Sequence, residues 1–136
     1  MYKMLLNIPA THNSPELVFS AEKGYLTIMG NACGTDIADF FKPVHDAMKR
    51  YLRANEQAPI KVIFRMENVN TAATKYLMML LNSISAHANP YREIDLRWIY
   101  PSGDEALREL GEDLAEDIEV PILMQSLPRD VWRKAS

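Results

Sequence analysis

The stretch NVNTAATKYLMMLL, residues 68–81, sets Asn70 and Thr71 between an apolar strand-like run and an apolar helix-like one. An amide or hydroxyl at such a joint caps the free N–H groups of a first helical turn. Thr71 is also an alcohol that a kinase can esterify, adding about −1.5 to −2 charges where the helix dipole favours an anion. Lys75, four residues on, lies on the same side and offers that phosphate a cation. Thr74, Met78, Asn82 and Ser85 continue the outer face of this helix, with Met78 an adaptable apolar contact on a polar surface. Asn70, Thr71, Thr74, Lys75, Met78 and Asn82 therefore make a candidate partner-binding face, whose charge a modification at Thr71 changes while the scaffold stays in place.

Other chemistry is less well supported by spacing. Cys33, in NACGTD, precedes a helix whose amino end favours a thiolate, which makes a thiol enzyme or redox sensor the competing reading. A nucleophile needs a base, and the only histidine in the same segment, His45, sits about three turns down that helix. His12, His45 and His87 have no metal-ligand spacing, and His87, near a helix end, reads as a partner for free carbonyls. The acidic run from Asp104 to Glu119 holds eight carboxylates and Arg108, but leucines take its inner stripe, so the acids read as a solvated face. No glycine-rich phosphate loop or nucleophile elbow is present. The expectation is a non-enzyme without metal or cofactor.

These residues are positioned by alternating elements. ELVFSAEKGYLTIM, residues 16–29, reads as a hairpin turning at Gly24. Ile37, Phe40, Phe41, Val44, Met48, Tyr51 and Leu52 recur as one helix face that runs through Pro43 without a change of phase, predicting a kinked helix. PIKVIFRME and EIDLRWIY alternate apolar and mostly charged residues, the period of strands with one buried face. Between them Ala73, Leu77, Leu80, Leu81, Ile84 and Ala88 predict a helix ending at NPY, giving a right-handed strand–helix–strand unit with parallel strands. Ser102 with Glu105 reads as a capping box for a further helix, VPILMQSL as a short edge strand and residues 129–136 as a tail.

At 136 residues, 48% hydrophobic and 24% charged, the chain reads as one globular domain spanning 1–136. A net charge of −3 gives no general attraction to nucleic acid or anionic membranes. The single cysteine excludes an internal disulfide, and no run approaches membrane-spanning length, so a cytoplasmic protein is expected.

The order NIPATHNSPELVF, GYLTIMGN, KRYL, NVNTAATKYLMMLL and DLRWIY resembles the SiaC family of bacterial regulatory phosphoproteins, along nearly the whole chain to about residue 130. That resemblance implies an α/β fold similar to STAS, or anti-sigma-factor-antagonist, domains: a mixed sheet of about four to five strands with an N-terminal hairpin and helices mostly on one face. It also implies a phosphothreonine switch, matched here by Thr71, through which the dephosphorylated protein binds and promotes a membrane-associated diguanylate cyclase. The implied partners include a cognate Ser/Thr kinase and a PP2C-type phosphatase, and the implied output is cyclic di-GMP and biofilm control. A partner-switching anti-sigma-factor antagonist is the nearer alternative. The chain departs from the family at residues 31–35, NACGT, where members usually carry a loop of the form SYPEN.

Overall fold

The computed structural model describes residues 5–135, with side chains through Trp132. Six strands form one mixed sheet in strictly sequential order: β1 (Leu5–Ile8), β2 (Glu16–Ser20), β3 (Tyr25–Ala32), β4 (Ile60–Val69), β5 (Ile94–Pro101) and β6 (Ile122–Leu127). The first three pair antiparallel, and β3 to β6 pair parallel. Helices α1 (Ile37–Ala54), α2 (Thr71–Ala86) and α3 (Glu105–Glu116) make the three crossovers, and α4 (Arg129–Ala135) follows β6. Three right-handed crossovers stepping in one direction place their helices on the same side of the sheet.

Alternation along the strands shows that side directly. Leu17, Phe19, Leu26, Ile28, Ile60, Val62, Phe64, Met66, Leu96 and Trp98 are buried beneath the helices, while their neighbours Val18, Thr27, Ile63, Arg65 and Arg97 are half-exposed on the open face. The α/β class and the one-sided helical layer match the sequence reading, and the sheet has six strands where four to five were expected. β1 supplies the difference, with Leu6 opposite Phe19 and Ile8 opposite Leu17. The hairpin forms as read, Gly24 taking φ +64 in a turn where a side chain would strike the Pro59 carbonyl.

Pro43 lies inside a continuous α1, on its exposed side. The Asp39 carbonyl, which loses its intrahelical donor to Pro43, lies on that exposed side, where water can reach it. α3 approaches the sheet closely because Gly111 lies over Trp98: an added Cβ would be 2.4 Å from Trp98 Cδ1. The Trp98 indole donates to the Leu107 carbonyl at 2.9 Å. The start of α3 is shifted from the expected box. Asp104, not Ser102, is the N-cap and accepts from the Leu107 N–H at 3.0 Å. Gly103, at φ +86, turns the chain just before it, and the Ser102 N–H goes to the Leu127 carbonyl. Residues 129–135 of the expected tail are helical.

Arg92, buried between α1 and the β4 side of the core, closes the end of α1. Its guanidinium donates to the Leu52, Asn55 and Ala58 carbonyls, tying the last turn of α1 to the loop that leads into β4. Nearby, the Tyr51 hydroxyl donates to the Pro59 carbonyl. Burial pushes the Tyr51 phenol above its ordinary range, an effect that the Arg92 cation partly offsets.

Candidate functional site

The joint between β4 and α2 lies at the end of the sheet where the parallel strands finish. Asn70 is the N-cap, with extended backbone, and its side-chain oxygen accepts from the Ala73 N–H at 2.8 Å. Its amide donates to the Gly34 carbonyl at 3.3 Å, and its backbone N–H donates to the Ala32 carbonyl at 3.0 Å. Asn70 therefore welds the start of α2 to the loop after β3.

Thr71 is the first helical residue and is exposed. Among the described residues no hydrogen bond engages its hydroxyl, because the capping is done by its neighbour. Capping and the free hydroxyl at this joint thus fall on different residues, Asn70 and Thr71. The first turn of α2 contains no acidic residue, so nothing on that turn opposes an added anion.

The remaining residues of the face divide. Lys75 and Asn82 are exposed along the same side as Thr71. Thr74 is half-buried and turned inward, its hydroxyl donating to the Asn70 carbonyl at 3.1 Å, so it supports the joint. Met78 is half-buried and packs against the core, whereas Met79, which the sequence reading passed over, is 48% exposed and supplies the outward apolar side chain. At about 100° per residue, Met79 falls one step further round the helix than Met78, on the Lys75 side. The exposed face is accordingly Thr71, Lys75, Met79 and Asn82.

The loop beside this face is built from asparagines. Asn31 accepts from the Asn68 side chain at 2.8 Å and donates to the His12 carbonyl at 3.1 Å. The Cys33 and Gly34 N–H groups both donate to the Asn13 carbonyl at 3.0 Å. Cys33 is exposed, and among the described residues its thiol has no hydrogen-bonded base. His45 is buried on α1, its Nε2 3.2 Å from the Tyr76 carbonyl of α2. His87 meets the Ser83 carbonyl at 2.8 Å at the end of α2. Both rings bind helix carbonyls. Among the described residues no three His, Cys, Asp or Glu side chains converge to hold a metal ion, and no helix is long and apolar enough to cross a membrane.

On α3, Arg108 pairs with both Glu105 and Glu112 on the outer side, its Nη2 2.6 Å from Glu105. Hydrogen bonding to Glu105 raises the Arg108 pKa. The acidic run is a solvated face, with Leu107 and Leu114 turned inward.

The fold is shared with solved structures. SiaC of Pseudomonas aeruginosa superimposes with a TM-score of 0.83 at 27% identity, covering 91% of this chain and 99% of that one. A structure of the diguanylate cyclase SiaD in complex with its activator SiaC, from the same organism, matches with a TM-score of 0.84 at 28% identity, covering 90% of this chain and 99% of the matched one. An uncharacterised protein of Pseudomonas aeruginosa strain UCBPP-PA14 is 29% identical over 121 residues, 89% of this chain and 95% of its own length. The family model described as SiaC family regulatory phosphoprotein matches residues 8–127, which takes in the hairpin, all three crossovers and the Asn70–Thr71 joint; the chain belongs to the SiaC family.

Proposed function

We propose that the chain is a non-enzymatic, cytoplasmic regulator that binds and promotes a diguanylate cyclase while Thr71 is unmodified, and loses that partner when a Ser/Thr kinase phosphorylates Thr71. A PP2C-type phosphatase restores the binding form. The observation that carries the reading is the division of labour at the joint: Asn70 caps α2, which leaves the Thr71 hydroxyl exposed and without a structural duty. The kinship with SiaC, an activator found in complex with the cyclase SiaD, supports the choice of partner.

The physical effect of the phosphate is local. It adds a dianionic group to a surface otherwise formed by Lys75, Met79 and Asn82, at a helix end whose free N–H groups accept an anion. The scaffold tolerates the charge. A partner that packs an apolar or acidic surface against this face must then desolvate or oppose it, which costs several times the thermal energy.

The test is capture of partners from native lysate on wild-type, Thr71→Ala and Thr71→Glu baits, with intact mass read on each bait. The expected result is a diguanylate cyclase on the wild-type and Ala baits and its depletion on the Glu bait. Equal capture by all three refutes the switch, and capture of an anti-sigma kinase in place of a cyclase moves the protein to partner switching in transcription.

A further inference from the structure

The helical layer is divided by charge. On α1, Lys42, Lys49, Arg50 and Arg53 stand exposed against Asp39 and Asp46, and Lys75 is the one charged residue of α2. On the other side of α2, α3 carries Glu105, Glu109, Glu112, Asp113 and Glu116 against Arg108 alone. A chain of net charge −3 thus gathers cations on the two helices next to the Thr71 joint.

Three of those cations border a seam. α1 and α2 both cross back between parallel strands, so they lie side by side and run the same way. His45 of α1 meets the Tyr76 carbonyl of α2 at 3.2 Å, and the Phe41 and Tyr76 rings stack at 5.6 Å, which fixes the sides that face each other. Lys42 and Lys49 lie one turn before and one turn after His45 on that side of α1. Across the seam, the half-buried Tyr76 and the exposed Met79, one turn on, put an apolar strip beside Lys75 and Thr71. Among the described residues none of Lys42, Lys49 and Lys75 is in an ion pair, whereas Arg97 and Arg108 both are. Three ammonium groups left without a carboxylate around an apolar strip match a surface of opposite charge that presents an apolar side chain.

We propose that the seam between α1 and α2 is an electrostatic seat, and that its occupant is an acidic segment of the partner protein, with carboxylates on Lys42, Lys49 and Lys75 and an apolar side chain on Tyr76 and Met79. This rests on the partner-binding reading above and extends the contact from the first turn of α2 onto α1. It also gives the switch a physical cause: a phosphate on Thr71 sets negative charge on the rim of a cationic seat and repels the segment that the lysines attract. The carboxylates of α3 repel the same segment from the neighbouring side of the layer, which fixes its placement. A nucleic acid fits less well, because its longer run of phosphates meets those carboxylates too.

Binding kinetics of the full-length, unmodified chain on the purified diguanylate cyclase test this. Lys42→Glu and Lys49→Glu change the net charge by the same amount as Lys23→Glu, which lies exposed in the hairpin turn at the opposite end of the sheet. Each seam variant is expected to associate about fivefold more slowly than wild type at low salt, and Lys23→Glu to stay within about twofold. Raising the salt from about 50 to 500 mM is expected to erase the difference, and thermal melts of all three variants to match wild type. Equal slowing by the three variants, or no slowing by any, overturns the acidic occupant and leaves the Thr71 switch standing. Single-stranded DNA that displaces the cyclase from the wild-type chain assigns the seam to a nucleic acid and overturns it as well. A cyclase that does not bind the wild-type chain refutes the functional reading and with it the identity of the occupant.

Discussion

Replacing Asn70 by Ala should destabilise the protein, and replacing Thr71 by Ala should not. Asn70→Ala removes the acceptor 2.8 Å from the Ala73 N–H and the donor 3.3 Å from the Gly34 carbonyl. Loss of an N-cap costs about 1 kcal/mol, and a long, partly buried amide bond adds roughly 0.5 kcal/mol. The sum of about 1.5 kcal/mol corresponds to a fall in Tm of about 6 °C for a domain of this size. Thr71 is exposed, its hydroxyl bonds nothing among the described residues, and Ala has the higher helix propensity, so Thr71→Ala stays within about 0.5 kcal/mol of wild type. Urea unfolding with unchanged m-values, checked by thermal melts, separates the two. If Thr71→Ala costs as much as Asn70→Ala, the hydroxyl is holding the helix start, and an ester there would disturb the scaffold instead of only its surface.

Gly111→Ala gains helix propensity but drives a methyl into the Trp98 ring, and is expected to destabilise by about 1–3 kcal/mol in denaturant melts. The pH dependence of stability follows from Tyr51. Its folded pKa is raised, chiefly by burial, so its contribution is complete below the unfolded value of about 10 and is lost as pH rises through the higher folded value. Melts between pH 9 and 11 should show that alkaline loss in wild type and a smaller one in Tyr51→Phe, which at neutral pH also loses the bond to the Pro59 carbonyl at a cost of about 1 kcal/mol. Cys33→Ser is expected to keep full partner binding in the capture assay, since the thiol has no hydrogen-bonded base among the described residues; abolished binding would restore the thiol reading.

Strong periodicity made most of this fold legible. The stripes of α1 and α2 and the alternation in β4 and β5 each commit a face to burial, and all four elements are where the pattern puts them, except that Ala88, expected on the inner stripe of α2, is exposed and lies past the helix end at Ala86. β1 was not legible, because four residues with Leu5 69% exposed carry no periodic signal; their state is set by pairing with β2. α4 is seven residues, too short to be stable alone, and its helix depends on the seat that Arg65 provides for Trp132. At both helix starts two cap-competent residues lie close together, and the choice between them depends on backbone geometry: Gly103 moves the cap from Ser102 to Asp104, and the Gly34 carbonyl helps hold Asn70 in the role. Met78 and Met79 differ by one step at the border of the stripe, where periodicity is least decisive and packing against the core decides.

The most direct measurement compares one chain in two states, unmodified and stoichiometrically phosphorylated at Thr71 as verified by intact mass, for affinity to the diguanylate cyclase and for Tm. A loss of affinity of about tenfold or more, some 1.4 kcal/mol or greater, with Tm changed by no more than about 2 °C, is the predicted result. Equal affinity of the two states, or weaker binding that comes with a melted scaffold, would contradict a surface switch at an exposed hydroxyl.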